Sequence, residues 1–335
     1  YVKEALPEAS VLKLGMVNPL PRKLIEDFAS KVEKLYIVEE LDPVIEEQVK
    51  SWGIKATGKE IFTVQGEYSA NMLREAILGE ELKLDAPAAA PGRPPILCPG
   101  CPHRSVYYVL NKLKMHAAGD IGCYTLGNAM PLDMVDTCLC MGAGLNIAQG
   151  VEKVEPDTTC FAFVGDSTFF ASAITGVVNA VYNQANMVLV VLDNSTTAMT
   201  GHQPHPGTGR TVMGEIVQKI NIEQVLRGIG VTEIETINPL ELEASVSCVK
   251  RMAEKSGVRA IIFKAPCIAV TRPKAPLHVD QDSCIGCKKC IRDLGCPAIV
   301  MNDEKICIDA SMCTGCHLCS QVCPVCAIAG GDDHE

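Results

Sequence analysis

Between residues 97 and 270 the chain alternates two kinds of apolar segment. TTCFAFVGD, NMVLVVLDN and VRAIIFKAP are short continuous apolar runs, of the kind covered on both faces in a parallel sheet. FFASAITGVVNAVYNQ and PLELEASVSCVKRMAEK, lying among them, carry apolar residues at helical spacing. Strands separated by helices of this length predict βαβ units and a parallel sheet. Residues 10–80 repeat the alternation on a smaller scale: VLKLGMV and KLYIVEE read as strands, PRKLIEDFASKV and DPVIEEQVKSWG as helices. At 82–95 periodic structure gives way to LKLDAPAAAPGRPP, where proline and alanine mark a linker. After TRPKAPLH the period is lost again, and cysteines dominate. The pattern thus predicts a small α/β domain over 1–81, a linker over 82–96, a larger α/β domain over 97–272 and a cysteine-rich region over 273–335.

Composition narrows the function. With 335 residues, 47% of them hydrophobic and 21% charged, the chain can bury substantial cores. A net charge of −10 with dispersed lysines argues against nucleic acid as a partner, since such binding needs clustered cations to neutralise phosphates. No apolar run is long enough to span a bilayer and no signal peptide opens the chain, so a cytoplasmic protein without a membrane partner is expected. The chain opens at Tyr1 and soon enters VLKLGMVNPLP, which reads as a piece of a longer polypeptide. Eighteen cysteines, more than half of them in C-x-x-C spacings, favour metal binding in a reducing compartment over disulfides.

The cysteines fall into two runs near the end. Cys313, Cys316, Cys319 and Cys323 before Pro324 form C-x2-C-x2-C-x3-C-P, in which three thiolates hold one cubane cluster and the fourth reaches the neighbouring one. Cys284, Cys287 and Cys290 repeat the triple, and Cys296 before Pro297 follows after five residues instead of three. Crossing predicts one [4Fe-4S] cluster on Cys284, Cys287, Cys290 and Cys323, and a second on Cys296, Cys313, Cys316 and Cys319. Zinc sites use C-x-x-C pairs with a longer spacer, which leaves the third cysteine of each run without purpose. Cys307 and Cys326 read as small buried hydrophobes, as do Cys138, Cys140, Cys160 and Cys248.

Two further motifs lie upstream. VGDST ends an apolar strand and opens a helix; such a turn directs backbone N–H groups at an anion while Asp166 can hold a hard cation. Asn194 ends the next apolar run, 28 positions on, and in a parallel sheet with one helical crossover the two strand ends share an edge. The bland alternative is an Asp capping an ordinary helix. CPGCPH at 98–103 and DIGCYT at 120–125 flank a helical segment. By spacing alone Cys98 and Cys101 are a zinc half-site, a redox pair or two cluster ligands.

Gly-Asp followed by Asn after this spacer resembles the thiamine diphosphate motif. That resemblance implies Mg2+ on Asp166, Asn194 and the carbonyl of Thr196, with Gly165 and Ser167 at the diphosphate. Ser167 and Asp193 depart from the commonest residues of the motif without replacing an implied ligand. Together with CPGC and the Gly122-Cys123 turn, which also touches the diphosphate, the order of motifs resembles the 2-oxoacid:ferredoxin oxidoreductases. In that family the cysteines hold a proximal [4Fe-4S] cluster, which implies Cys98, Cys101, Cys123 and, from KAPCI, Cys267. CPGCPHR and the final position of the cysteine-rich region favour the indolepyruvate type, α subunit. Its domain order implies a transketolase C-terminal-like domain, a thiamine domain and a two-cluster ferredoxin-like domain.

The implied chemistry is oxidative decarboxylation of an aryl 2-oxo acid to an acyl-CoA, with electrons passed to external ferredoxin. A β subunit, coenzyme A and a hetero-oligomer are implied as well, and the glutamate that activates thiamine would lie before Tyr1. Two rival readings are a non-catalytic electron-transfer subunit, which needs neither Asp166 nor Asn194, and a non-redox decarboxylase, which leaves the last fifty residues unused. His202 and His205 are candidates for the substrate pocket or for loop polar residues. His103 is a candidate neighbour of the proximal cysteines or a helix cap.

Overall fold

In a computed structural model, the described residues are 1–80, 92 and 94–330. The chain divides into two compact units, Tyr1–Gly92 and Arg93 onward. Most of the predicted linker, 82–91 and 93, and the last five residues lie outside the described residues.

The second unit is built on five parallel strands: β1 (His116–Ala118), β2 (Cys160–Gly165), β3 (Met187–Asp193), β4 (Glu233–Ile237) and β5 (Val258–Lys264), in the order β1-β2-β3-β5-β4. Three of these are the predicted runs. Every residue of β2 and β3 is buried, because helices cover both faces and an apolar run is the only sequence that both faces accept. One core joins the helix His103–Leu113 and Leu242–Glu254 to one face, through Val106, Tyr107, Phe161, Phe163, Val190, Val249 and Phe263. The other core joins Ala143–Val154 and Ile174–Tyr182 to the opposite face, through Leu145, Ala162, Val164, Val177 and Leu189. The helix expected from FFASAITGVV begins at Asp166, passes through a wide turn at Phe169–Ala173 and continues to Tyr182.

The cysteine-rich region forms no separate compact unit. Leu277, Cys290, Leu294, Ile299, Ile306 and Leu318 belong to the same core as Val106 and Phe163, so the boundary predicted at 272/273 is bridged by apolar packing. The region holds two antiparallel ribbons, β6 (Leu277–Val279) with β9 (Ile328–Gly330), and β7 (Ile299–Asn302) with β8 (Lys305–Ile308). Its two triple-cysteine loops repeat one another. Gly286 and Gly315 have φ of 65° and 68°, Lys288 and His317 have φ of 58° and 59°, and a short helix follows each, Lys289–Arg292 and Leu318–Val322. Cys284 N donates to Asp280 O at 3.0 Å as Cys313 N does to Asp309 O at 2.9 Å. Glycine is the residue that takes the first of these left-handed positions without strain.

The first unit differs from expectation. Its helices Arg22–Ala29 and Val44–Ser51 fall where predicted, joined by Val2–Ala5 and Ala70–Leu78. Among the described residues it forms no sheet: KLYIVEE contributes one parallel bridge, Tyr36 to Thr57, and VLKLGMV none. Leu12 and Leu14 lean on the cluster of Leu20, Ile25 and Val49, while Val11, Met16 and Val17 are exposed. A segment covered on one side only does not make a central parallel strand.

Two glycines of the helix Ala143–Val154 predict opposite responses. A methyl at Gly144 would press on the carbonyl oxygens of Gly119 and Ala118, whereas at Gly150 it would meet nothing within 4 Å. Gly144→Ala is expected to destabilise the unit by about 1–3 kcal/mol, and Gly150→Ala to stabilise it by about 0.5–1 kcal/mol, both read from urea midpoints.

Candidate functional site

Register places the site. Gly165 pairs with Leu192, and Asp193 with Lys264, so the residues that follow β2, β3 and β5 emerge together at one edge of the sheet. There a cavity of about 100 Å3 is lined by His103, Gly122, Cys123, Tyr124, Asp166, Asn194, Thr196 and Met199, among others. Asp166, Asn194 and Thr196 are all buried. Thr196 N donates to Asn194 Oδ1 at 3.3 Å, and Cys267 N donates to Asn194 O at 2.9 Å. Asn194 thus touches both the threonine and the cysteine expected beside it.

Asp166 Oδ1 accepts the Ser167 amide at 2.8 Å. Its Oδ2 lies 3.1 Å from His205 Nε2, yet neither atom has an aligned hydrogen-bond partner. The two atoms are close, and their orientation does not suit a hydrogen bond. Burial pushes the Asp166 carboxyl up, opposed by His205. His205 is buried, stacked beside Phe170 at 5.9 Å, and takes the Gly207 amide on Nδ1 at 3.2 Å. Of the two loop histidines, His205 therefore belongs to the site, while His202 is exposed. His103 also belongs to it: its Nε2 lies 3.3 Å from Asn194 Nδ2. Burial lowers the His103 pKa to about 4, so near neutrality the ring is uncharged, accepts from the amide on Nε2 and keeps its proton on Nδ1.

Asp120 and Tyr124 escape sequence reasoning although they flank the Gly122-Cys123 turn. Asp120 follows β1, accepts the Gly142 amide on Oδ1 at 2.7 Å and the Tyr124 hydroxyl on Oδ2 at 2.9 Å. Tyr124 Oη in turn accepts the Gly165 amide at 3.1 Å. This brace ties the turn after β1 to the turn after β2. It also occupies the Gly165 amide, as Thr125 Oγ1 occupies the Gly122 amide at 3.0 Å. An acidic residue directly after a strand in DIGCYT is the signal that marks it.

The cysteines gather as three groups. Cys101 is raised to about 12 by burial, with Cys98 and Cys123 nearby adding to the effect; Cys123 is raised by burial and then by Cys267 and Cys98. Cys284, Cys287, Cys290 and Cys323 line one cavity with Val279, Ile306 and Ile328. Cys319 is raised to about 12 by burial and then by Cys316, Cys296 and Cys313. The longer loop before Cys296 therefore does not carry it away from the second run. Backbone amides donate to two of the sulfurs, Leu277 N to Cys313 Sγ at 3.5 Å and Ala327 N to Cys323 Sγ at 3.3 Å. Among the described residues no three Cys, His, Asp or Glu side chains already stand at metal-ligand geometry. The grouping and the N–H···S bonds suit a thiolate-held group; the spacing would close on it. Cys160 and Cys248 are buried as expected, but Cys138, Cys140 and Cys326 are exposed and Cys307 is half-buried. Beside Cys307 and Cys326, Ile306 and Ala327 take the buried positions of those segments instead.

Residues 120–263 match the family described as "Thiamine pyrophosphate enzyme, C-terminal TPP binding domain", so the parallel sheet has the fold of a thiamine enzyme. The chain is 38% identical over 98% of its length to indolepyruvate oxidoreductase subunit IorA of Archaeoglobus fulgidus, covering 58% of that protein. It is 39% identical to the same subunit of Methanothermobacter thermautotrophicus, covering 57%. The chain is similar to these indolepyruvate oxidoreductase subunits over nearly its whole length and spans rather more than half of theirs. A solved 2-oxoglutarate:ferredoxin oxidoreductase from Magnetococcus marinus aligns at a TM-score of 0.46 and 19% identity, over 54% of this chain and 67% of that one.

Two outcomes test the site. Tyr124→Phe leaves the Gly165 amide and one Asp120 oxygen without partners, and should cost about 1–3 kcal/mol in denaturant unfolding. For His103 the folded pKa of about 4 lies below the unfolded value of about 6.5. Its contribution is therefore complete above the unfolded value and is lost as pH falls toward the folded one, amounting to about 3 kcal/mol. Urea midpoints measured against pH should show this acid-side loss, and His103→Gln should flatten it.

Proposed function

We propose that this chain is the diphosphate-binding and electron-outlet part of a thiamine-dependent 2-oxoacid:ferredoxin oxidoreductase of the indolepyruvate type. The observation that carries the proposal is the hydrogen bond between Cys267 N and Asn194 O at 2.9 Å, which joins a cysteine of the first group to the motif read as the metal site. A decarboxylase would not need a thiol group there, and a pure carrier would not need the motif.

In this reading Asp166, Asn194 and the carbonyl of Thr196 hold Mg2+; an acid, an amide and a carbonyl are the oxygen donors this cation prefers. The buried Asp166 Oδ2, near His205 Nε2 but without an aligned donor, is an oxygen that a cation could take. Gly122, Cys123, Gly165 and Ser167 border the diphosphate, and the Gly122, Gly165 and Ser167 amides would have to leave Thr125, Tyr124 and Asp166 to donate to it. Thiamine diphosphate, when bound, supplies the nucleophilic carbon that attacks the 2-oxo group and accepts the electron pair released with CO2. Neutral His103 keeps Asn194 oriented without adding charge. Tyr124 and Asp120 hold the turns after β1 and β2 at fixed separation.

Cys98, Cys101, Cys123 and Cys267 hold the first [4Fe-4S] group. Cys296, Cys313, Cys316 and Cys319 hold the second, and Cys284, Cys287, Cys290 and Cys323 the third. The substrate is an aryl 2-oxo acid, the acyl group goes to coenzyme A, and a β subunit and external ferredoxin complete the system. Among the described residues no helix is long and apolar enough to cross a membrane.

The test uses the intact complex, purified anaerobically and assayed with a panel of 2-oxo acids, coenzyme A and ferredoxin. The expected chain holds about twelve irons, and Asp166→Ala lowers turnover at least about 100-fold with the iron unchanged. Undiminished turnover in that variant would establish the carrier reading, and zinc in place of iron would dispose of both.

A further inference from the structure

Arg104 is 3% exposed, on the first turn of the helix that follows CPGC. Its four hydrogen bonds go to backbone carbonyls in two places: Nη2 to Leu97 O at 2.6 Å and Cys98 O at 3.2 Å, and Nη1 to Leu294 O at 2.6 Å and Gly295 O at 2.9 Å. One pair immediately precedes or includes Cys98; the other immediately precedes Cys296. Its Nε has no partner, and among the described residues no carboxylate pairs with it. A buried cation without a counter-charge is costly. Carbonyl dipoles alone offset only part of that cost, so the neighbourhood should hold negative charge when the protein is complete.

The thiols around Arg104 supply it. The carbonyls that Arg104 holds adjoin Cys98 on one side and Cys296 on the other. One guanidinium therefore faces both the first and the second cysteine group. The loops themselves touch: a methyl at Gly100, between Cys98 and Cys101, would run into the side chain of Thr314, between Cys313 and Cys316. Among the described residues no buried arginine or lysine side chain bonds in this way to both the first group and the Cys284 group.

We propose that Arg104 is an electrostatic bridge that makes the Cys98/Cys101/Cys123/Cys267 and Cys296/Cys313/Cys316/Cys319 groups the adjacent redox pair. The proposal rests on the iron–sulfur reading above. Its positive charge favours the reduced, more negative form of both groups. One electron leaves the first group as one enters the second, and the cation stabilises that electron on either side. The Cys284/Cys287/Cys290/Cys323 group lies beyond this influence and comes last. Arg104 is thus a positioning and potential-setting residue: Lys keeps its charge but not the planar fork that spans both loops.

The experiment is an EPR-monitored redox titration of the intact, iron-loaded complex, with wild type, Arg104→Lys and Arg104→Met compared. Cys287→Ser identifies the signal of the third group. In Arg104→Met two of the three signals should become harder to reduce, by about tenfold in one-electron partition or about 59 mV, while the third stays put. Arg104→Lys should recover most of the shift. Three equal shifts, a single shift or none, with the iron retained, would overturn the bridge.

Should Arg104→Met fail to fold, the wild type decides: reduction of the Cys296 group must broaden the first group's signal more than reduction of the Cys284 group does, and the reverse order overturns the proposal. Absence of iron from the wild type would remove the underlying reading itself, an outcome distinct from unshifted potentials in a fully loaded variant.

Discussion

Because Gly165 lies opposite Leu192 and Asp193 opposite Lys264, the chain leaves three neighbouring strands at one level. Shifting β3 by one residue would turn its side chains to the other face of the sheet and carry Asn194 away from Asp166. The apolar runs prevent this slip: β2 and β3 are buried throughout, and each face has its own core to satisfy. The polar edge is therefore held in place by hydrophobic packing several residues below it. Tyr124 adds a local clamp, since its hydroxyl joins Asp120 after β1 to Gly165 at the end of β2.

Burial governs the chemistry of that edge. It raises Asp166 and Asp120, lowers His103 and raises the thiols of Cys101 and Cys319. Every one of these shifts favours the neutral form. A site of this kind resists carrying isolated charge, and accepts it as matched pairs: cation with carboxylate, metal with thiolate. Arg104, the buried cation that already carries its charge, lies between two thiol groups.

Much of this was legible in the chain. β2, β3 and β5 are continuous apolar runs, and the residues after them, Asp166, Asn194 and Cys267, are polar residues at the ends of those runs. The cysteines grouped by spacing lie near one another, Cys296 beside Cys316 and Cys319 across its longer loop. What escaped is of three kinds. Asp120 and Tyr124 act through backbone partners at Gly142 and Gly165, and no spacing rule announces a side chain whose partner lies 22 or 41 residues on. VLKLGMV has strand-like alternation, but only Leu12 and Leu14 find cover, and the absence of a covering layer is a tertiary fact. Cys138, Cys140 and Cys326 look like core residues by type, yet all three are exposed, and next to Cys326 it is Ala327 that is buried.

The two cysteine loops are copies in backbone, down to the paired left-handed residues Gly286 and Lys288, Gly315 and His317. Their fourth cysteines are exchanged: Cys323 lines the cavity of the first loop, and Cys296 faces the second. Neither copy is self-sufficient, and the ribbon of β6 with β9 ties the segment before the first loop to the segment after the second. During synthesis the first loop remains one donor short until residue 323 has left the ribosome. Under the proposed function, metal insertion then acts as proofreading, since a chain cut short before residue 323 leaves the first loop a donor short.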